Sequence, residues 1–502
     1  MMLIRTSLLF LAMVFSANKA MAQNQQPKKK NQPNIVFFFV DDMGWQDTSV
    51  PFFKEVTELN KRYKTPNMER MAHDGMKFTQ AYASAVCSPS RISLMTGMNA
   101  ARHRVTNWTL KKDVSPDTEN PVVESPQWNV NGLSPDSSVP YTISAKTLPT
   151  LLSKGGYQTI HVGKAHFGAE GTPGEDPLNL GFKVNIGGHA AGGPGSYLGI
   201  HDFSADWRDA GNHIWDIPDL EKYHGQEIYL TEALTREALK EVSKSVEKEQ
   251  PFYLYMSHYA IHAPWEKDKR YYQKYIEQGF SEHEATYATM IEGMDKSLGD
   301  IMDHLENLGV SDNTIIVFMS DNGAHKQVPQ NKPLRGHKLS PYEGGIRVPL
   351  LVKWPDETKP NSVNEDYVII EDIFPTFLEM AGLKEAAQTS MDGHSFVRKL
   401  KGKKSSNTRP LLWHYPNTYY NPPYSVVRKG DWKLIYHHVD QKLELYNLND
   451  DIGESTDLSE KELDRTMEMA QLMTKLLKDT DAQMPTIKAT GKPVPYPSEL
   501  LK

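Results

Sequence analysis

Four clusters of polar side chains follow apolar runs at widely separated places in this chain of 502 residues. The clusters contain Asp41, Asp42, Lys164, His166, His258, His262, Asp321 and Asn322. Any one cluster is as well explained by a turn or a helix cap. Ligands bind beyond the carboxyl ends of the strands in open α/β sheets, so the four clusters together predict one shared site.

The acidic clusters indicate a metal site. Asp41, Asp42, Asp321 and Asn322 would supply carboxylate oxygens and one amide oxygen, and the carboxylates would repel one another without a cation. Hard oxygen ligands suit calcium or magnesium rather than zinc. Four protein oxygens leave a divalent ion incompletely coordinated, with room for a substrate oxygen.

Basic side chains are expected beside these acids: Arg91, Lys164, His166, His262 and Lys338. A metal together with lysines and histidines can hold a compact oxyanion and neutralise charge on a leaving oxygen. Sulfate esters and phosphate esters are therefore the candidate substrates.

Cys87 is the single cysteine of the chain, so no internal disulfide can form. A lone cysteine is usually a small buried hydrophobe. Here Pro89 suits the first turn of a helix, which would put Cys87 at the helix N-terminus, where free N–H groups favour an anion. Arg91 lies one turn further on and can reach back towards residue 87.

The elements that must position these residues follow from the apolar pattern. Near-continuous apolar runs predict buried strands of a parallel sheet at Asn34–Val40, Tyr157–Val162, Phe252–Met256 and Thr314–Met319. Stretches with helical periodicity lie among them, at Thr231–Glu249 and Glu282–Leu308. The alternation predicts an α/β fold, a doubly wound and mostly parallel sheet flanked by helices.

The pattern changes after about Leu400. Short alternating segments predict antiparallel strands at Tyr424–Arg428, Trp432–His437 and Lys442–Asn447, followed by a helix at Lys461–Lys478. We therefore expect a catalytic α/β domain at 34–400 and a smaller C-terminal antiparallel-sheet subdomain at 401–502.

The first residues are typical of an export signal. Arg5, the apolar run Leu8–Phe15 and the small residues up to Ala22 predict a signal peptide at 1–22, followed by a flexible leader at 23–33. The expected location is the bacterial periplasm or the extracellular medium. The apolar run is too short to span a bilayer. The net charge of −7 argues against nucleic acid as a main partner.

The stretch Cys87-Ser88-Pro89-Ser90-Arg91 resembles the C-x-P-S-R signature of type I sulfatases, a family within the alkaline phosphatase superfamily. Further family motifs follow in the expected order, and the resemblance extends over about 34–458. The matching segments are Asp41-Asp42, Gly163-Lys164-Ala165-His166, His262-Ala263-Pro264, Asp321-Asn322-Gly323, Lys338 before Tyr342-Glu343-Gly344-Gly345, Val427–Ile435 and Leu445–Leu448.

The resemblance implies that a separate maturation enzyme oxidises Cys87 to 3-oxoalanine, known as formylglycine. One calcium ion would be bound by Asp41, Asp42, Asp321 and Asn322, with the modified residue 87 as a further ligand. One hydroxyl of the hydrated aldehyde would attack sulfur.

The resemblance also implies roles for the basic residues. His262 and Lys338 would bind sulfate and assist the departing oxygen. His166 would help to deprotonate the second hydroxyl, so that the aldehyde re-forms and sulfate leaves. Arg91 and Lys164 would stabilise the hydrate and the sulfate charge.

Four other residues near the motifs have open assignments. His258 does not precede x-Pro as His262 does, so we assign it to packing or to a hydrogen bond. His325, His337 and Arg335 either contact substrate or belong to the surface, and His325 is taken as a substrate-binding candidate.

The expected substrate is a sulfated glycan, with exo-acting O-sulfatase activity. The insertion Gly187–Tyr223 either forms a sugar-binding rim or plugs a small core. The candidate residues within it are His189, Tyr197, Trp207, His213 and Trp215.

Three alternatives stay open. A phosphodiester or phosphonate monoester hydrolase could share the fold and the acids. The second alternative is an inactive protein that binds sulfated glycans, although none of the expected metal ligands is missing and the nucleophile Cys87 is present. A third is a thiol enzyme that uses unmodified Cys87. Against it, acid-rich surroundings are expected to raise the pKa of the thiol.

Overall fold

The computed structural model describes residues 32–383, 390–403 and 408–501, and its strands form three sheets. The strands are β1 (Asn34–Val40), β2 (Met76–Tyr82), β3 (Val123–Glu124), β4 (Gln158–Gly163), β5 (Val184–Ile186), β6 (Phe252–Ser257), β7 (Thr314–Ser320), β8 (Arg347–Lys353), β9 (Ser362–Asn364), β10 (Val368–Ile369), β11 (Leu411–Tyr415), β12 (Tyr424–Lys429), β13 (Trp432–His437), β14 (Lys442–Asn447), β15 (Thr486–Ile487) and β16 (Lys492–Pro493).

The central sheet has the order β10-β2-β8-β7-β1-β6-β4-β5, and β9 pairs with β2. Its strands are parallel except for β8, which runs antiparallel to both neighbours. The predicted doubly wound, mostly parallel sheet is thus confirmed. Register places Val40 of β1 beside Ser320 of β7, and Gly163 of β4 beside Ser257 of β6. The carboxyl ends of these four strands therefore lie at one edge.

Strand β1 shows why the apolar runs are continuous. Ile35, Phe37 and Phe39 point into one core, whereas Val36 and Phe38 point into another on the opposite face. Side chains alternate across a strand, so a strand covered on both faces must be apolar at every position.

Helices cover both faces of the central sheet, and the last helix of the chain packs on the C-terminal sheet. The helices are α1 (Glu58–Arg62), α2 (Pro66–Asp74), α3 (Cys87–Thr96), α4 (Ala100–His103), α5 (Leu148–Lys154), α6 (Leu230–Glu247), α7 (Lys269–Glu277), α8 (Glu282–Asn307), α9 (Glu343–Ile346), α10 (Ile373–Met380), α11 (Val397–Leu400) and α12 (Leu463–Asp479). Short 3-10 turns are at Pro173–Glu175, Pro177–Leu180, Gly199–His201, Glu221–Tyr223, Ser311–Asn313, Ile370–Asp372 and Pro497–Glu499. None of the described helices combines the length and the apolarity that crossing a bilayer requires.

Helix α8 illustrates how the helices are fixed. Ser281 accepts a hydrogen bond from the backbone N–H of Glu284, and the Glu284 carboxylate accepts one from the backbone N–H of Ser281, a capping box. Met290, Met294 and Leu298 are fully buried on its inner face. The methionine stripe is core packing.

The C-terminal sheet has the order β11-β12-β13-β14 and is antiparallel throughout, as predicted. A third, small sheet was not predicted: β15 pairs with β16 and with β3, which comes from the N-terminal part of the chain. The ammonium of Lys433 on β13 lies 3.0 Å from Glu343 of α9 and 2.7 Å from Glu454, and all three side chains are fully buried. The C-terminal sheet is thus tied to the central domain by buried charge.

The predicted signal peptide at 1–22 and residues 23–31 of the predicted leader lie outside the described residues.

Candidate active site

Three acids and the cysteine meet at the carboxyl edge of the central sheet. Asp41 and Asp42 follow β1, Asp321 follows β7, and Cys87 begins α3. Ligand atoms of the four residues all lie within 4.8 Å of one another. The amide nitrogen of Asn322 donates to Asp42 over 2.7 Å. The two clusters meet because β1 and β7 are adjacent, parallel and level at their ends.

Cys87 is the first residue of helix α3, as the position of Pro89 predicted. Its Sγ lies 3.6 Å from Oδ1 of Asp41 and 3.2 Å from Nζ of Lys338. Burial is the main cause that raises the pKa of the thiol, to about 12, while the neighbouring lysines oppose the rise. The predicted rise is confirmed: Asp321 and Asp41 contribute to it, although burial, which disfavours a thiolate, is the larger cause. An unmodified thiol here would stay protonated.

Three buried cations neutralise the acids. Lys164 donates to Asp41 over 2.6 Å, and Lys338 donates to Asp42 over 2.5 Å. Arg91 is fully buried and binds Asp321 through Nε and Nη2. Burial would raise the pKa of Asp321, but Arg91 and Lys164 hold it below its ordinary value. Asp321 is therefore kept ionised although its side chain is fully buried.

Two observations show that the acids fit a divalent cation. Oδ1 of Asn322 is buried and accepts no hydrogen bond from any described residue. Burial, followed by the proximity of Asp321, raises the pKa of Asp41 well above its usual range. A cation bound by these oxygens would satisfy the amide oxygen and relieve the crowding of the carboxylates.

His166 is held in one tautomer. Its Nε2 lies 2.8 Å from the carbonyl oxygen of Thr109, which can only accept, so Nε2 carries the proton. Its Nδ1 is buried without a partner among the described residues. Thr109 in turn donates its backbone N–H to Oγ of Ser88 on α3. The helix that starts at Cys87 therefore helps to position the histidine, whose free Nδ1 can accept a proton.

His262 has the opposite tautomer. Its Nδ1 lies 2.6 Å from the carbonyl oxygen of Ala263 and carries the proton, while Nε2 lies 3.8 Å from Asp42. The buried hydroxyl of Tyr197 is within hydrogen-bonding distance of the carbonyl oxygens of Tyr259 and His262. Tyr197, from the insertion, thus supports the backbone that carries this histidine.

A cavity of 660 Å³ opens onto the cluster. Asp42, Cys87, His166, His262 and Lys338 line its inner end. The cavity gives a substrate access to residue 87 even though the cysteine side chain itself is buried.

The residues with open assignments separate clearly. His325 and His337 line the cavity, whereas Arg335 bonds to Tyr446 and to the carbonyl oxygen of Glu454 in the C-terminal part. His258 is buried, and its Nε2 lies 2.9 Å from Oγ of Ser297. The assignment of His258 to packing and a hydrogen bond therefore agrees with its surroundings, and Arg335 belongs to the contact with the C-terminal sheet.

The insertion at 187–223 supplies one side chain to the cavity, Trp215. Trp207 is exposed and stacks on His201, and His213 pairs with Asp216. His189 acts through its carbonyl oxygen, which accepts a hydrogen bond from the backbone N–H of His166. Trp215 thus lies where a sugar-binding rim would need it, whereas Tyr197 is core, and sugar binding by the insertion stays a prediction.

Sequence reasoning missed part of the cavity wall. The missed residues are Trp108, Lys326, Gln327, Tyr419, Tyr420 and Asn421. Tyr419-Tyr420 follows a strand and precedes Asn421-Pro422-Pro423. An aromatic pair in such a turn-rich loop could have been predicted as a candidate binding surface. No pattern within the segment indicated which part of the fold it faces.

Comparison with known proteins identifies similar chains. The family model described as "Sulfatase" matches residues 33–383, and the model described as "N-sulphoglucosamine sulphohydrolase, C-terminal" matches residues 337–483. A protein named "Sulfatase" from Formosa agariphila is 29% identical over 538 residues, which cover 95% of each chain. The N-acetylgalactosamine-6-sulfatase of Homo sapiens is 32% identical over 402 residues, which cover 77% of this chain and 69% of that one.

A solved structure extends the similarity to the fold. The structure of Ps i-CgsB in complex with k-i-k-neocarrahexaose superposes with a TM-score of 0.71 and is 27% identical. The match covers 90% of this chain and 94% of that one.

Proposed function

The chain belongs to the formylglycine-dependent sulfatase family of the alkaline phosphatase superfamily, and we propose that its substrate is a sulfated carbohydrate. It is a sulfuric ester hydrolase. The observation that carries the proposal is the meeting of Asp41, Asp42, Asp321 and Cys87 within 4.8 Å, at the inner end of an open cavity. The carbohydrate is supported by relatives named for N-acetylgalactosamine 6-sulfate and by a similar structure that holds neocarrahexaose.

Two groups complete the proposed site. Calcium, held by Asp41, Asp42, Asp321 and Asn322, would supply charge neutralisation for a sulfate oxygen. Oxidation of Cys87 to formylglycine would supply an aldehyde whose hydrate is the nucleophile.

The side chains around residue 87 suit a sulfate ester. Lys338 lines the inner end of the cavity, 3.2 Å from Sγ of Cys87, and the fully buried Lys164 lies behind it, bound to Asp41. Because Nδ1 of His262 carries the proton, its Nε2 is a neutral acceptor, and Lys338 is the group able to give a proton to the departing oxygen. Arg91 stays bound to Asp321 and keeps the acids in place.

His166 is suited to a separate proton transfer. Its Nε2–H is committed to the carbonyl oxygen of Thr109, and its Nδ1 is free and lines the cavity. This histidine would accept a proton at Nδ1 when sulfate is released.

We further propose that the chain is exported and then resides in the periplasm or outside the cell, after removal of residues 1–22. A formylglycine-generating enzyme would be its maturation partner. Exo action is supported by a cavity whose inner end is closed by the buried cluster.

Mass spectrometry of the tryptic peptide Phe78–Arg91 from the native host tests the nucleophile. We expect an aldehyde at residue 87. An intact thiol in fully active protein would remove formylglycine from the proposal.

The ester preference is tested by steady-state kinetics. We expect 4-nitrophenyl sulfate to be cleaved with a higher kcat/KM than 4-nitrophenyl phosphate or bis(4-nitrophenyl) phosphate. A panel of sulfated sugars, including N-acetylgalactosamine 6-sulfate and neocarrahexaose, is then assayed for released sulfate. A preference for the phosphate esters would support the phosphohydrolase alternative, and sugar binding without turnover by aldehyde-bearing protein would support the inactive binding protein.

A further inference from the structure

The active-site cavity has an outer part that the reaction at residue 87 does not use. Its wall is formed by Trp108, Trp215, Lys326, Tyr419 and Tyr420. These residues come from four separate segments, including the loop between β11 and β12 of the C-terminal sheet. In the proposed function sulfate is bound at the inner end, so this outer wall would face the group to which the sulfate is attached.

The aromatic residues of the outer wall form a fixed group. The rings of Trp108 and Tyr419 meet edge to face with centroids 5.5 Å apart, and the rings of Tyr419 and Tyr420 do so at 4.5 Å. The hydroxyl of Tyr415 donates to the carbonyl oxygen of Tyr419, which fixes the turn. Edge-to-face packing leaves ring faces free for another flat apolar surface.

Tyr420 combines an exposed side chain with an unusual backbone conformation. Its side chain is 71% exposed, and its φ is +55°. A bulky residue rarely adopts this left-handed region, because its side chain crowds the backbone there. An exposed ring contributes little burial in return, so a binding role explains the arrangement better than stability does.

The charge of the wall indicates what binds beside the ring. The ammonium of Lys326 lies 4.9 Å from the ring centroid of Tyr420. Among the described residues that line the cavity, Asp42 is the only acid, and Lys338 already binds that carboxylate. The outer part thus offers unneutralised positive charge next to an aromatic face.

We propose that this outer part binds the sugar next to the sulfated one, with the sugar stacked on Tyr420 and an anionic group of that sugar paired with Lys326. The inference rests on the proposed carbohydrate substrate and narrows it. The substrate is an anionic oligosaccharide, recognised by two residues of its chain, rather than a sulfated monosaccharide.

The test compares substrates that differ in the second sugar. The sulfated monosaccharide with the highest turnover in the panel is assayed alone, linked to a uronic acid and linked to a neutral hexose. We expect the uronic acid disaccharide to have the highest kcat/KM. For each sugar substrate, kcat/KM is divided by kcat/KM for 4-nitrophenyl sulfate. The aryl sulfate reports the chemistry at residue 87, so the ratio reports the contribution of the sugar.

Two variants locate the effect. Tyr420→Ala should lower this ratio about fivefold for both disaccharides. Lys326→Gln should lower it about two- to fivefold for the uronic acid disaccharide, and added salt should shrink that loss. Tyr141→Ala and Lys332→Gln are matched controls, because both residues are exposed and neither lines the cavity. Both controls should leave all ratios unchanged.

The outcomes are distinguishable. Equal ratios for the monosaccharide and both disaccharides, or equal losses in the variants and their controls, would overturn the outer subsite and leave the sulfatase chemistry intact. A loss with Tyr420→Ala but none with Lys326→Gln would overturn the anionic part. Failure of the wild-type protein on 4-nitrophenyl sulfate and on every sulfated sugar would instead overturn the proposed function, and this inference with it.

Discussion

Arg91 donates two hydrogen bonds to a single carboxylate oxygen of Asp321, from Nε over 3.0 Å and from Nη2 over 2.8 Å. Both side chains are fully buried. Nη1 of the same guanidinium reaches Oγ of Ser257 over 2.7 Å and the carbonyl oxygen of Lys164 over 3.1 Å. One side chain therefore joins the ends of β4, β6 and β7 beneath the acids.

Replacing Arg91 should cost stability as well as activity. Arg91→Lys keeps the charge but cannot reproduce the forked contacts, so we expect a loss of about 2–4 kcal/mol in the free energy of unfolding. Urea unfolding followed by circular dichroism measures it. Arg104→Lys is the control, since that arginine is partly exposed where it pairs with Asp481. A loss no larger than that of Arg104→Lys would contradict the role of Arg91.

Calcium should stabilise the protein through the amide oxygen of Asn322. After chelation, adding calcium to 100 times its Kd should stabilise the wild-type protein by about 2.7 kcal/mol and raise its Tm. Asn322→Ala should lose most of that Tm shift, and Asp321→Ala should lose both the shift and turnover. Asn449→Ala, at an exposed position, serves as the control. A full shift in Asn322→Ala, or undiminished turnover in metal-free buffer, would refute the metal assignment.

His166 should be required for turnover but not for folding. His166→Asn retains a polar side chain but removes the free ring nitrogen, so kcat should fall about 10²- to 10⁴-fold. Sulfate release by ion chromatography measures the rate. His213→Ala changes an exposed histidine outside the cavity and should keep its activity. Near wild-type kcat in His166→Asn would exclude the proposed proton transfer at Nδ1.

Glu371, which does not line the catalytic cavity, should make stability pH-dependent. Burial, followed by the charge of Asp372, raises the pKa of this buried carboxyl to about 8, while the unfolded chain keeps the ordinary 4.5. Between these values the folded protein binds the proton more tightly, so stability falls as pH rises from about 4.5 to 8. Glu371→Gln keeps an acceptor for Asn99 and should gain on the order of 2 kcal/mol over wild type at pH 9, with little gain at pH 4.5.

Urea unfolding of both proteins at pH 4.5 and pH 9 gives the comparison. Glu379→Gln, at a partly exposed position on α10, is the control. Equal differences between wild type and Glu371→Gln at the two pH values would show that the carboxyl titrates normally.

The reactive end of the site was predictable because strand periodicity is regular. Apolar runs such as Asn34–Val40 locate strands, and residues just past parallel strands share one edge. The proximity of Asp41 and Asp321 could therefore be predicted from the sequence alone. The first turn set by Pro89 likewise located Cys87. The contacts of Lys338 with Asp42 and Cys87 were harder to predict, because Lys338 lies in a loop rather than directly after a strand.

The outer wall could not be derived in the same way. Tyr419 and Tyr420 lie on a loop of the C-terminal sheet, and their place over the cavity depends on how two sheets dock. That docking is set by long-range contacts such as Lys433 with Glu343, which no local pattern encodes. The pairing of β3 with β15 was missed for the same reason, since each strand has only two residues.

The loop between β11 and β12 has a consequence for how new specificities can arise. Its ends are anchored in an antiparallel ladder, at Tyr415 and Tyr424, while its tip overhangs a catalytic centre built by other segments. Under the proposed outer subsite, grafting a different tip between the same two anchors would change which sugar is bound and leave the residues around Cys87 untouched. Diversification among such hydrolases would then concentrate in a stretch of eight residues, 416–423.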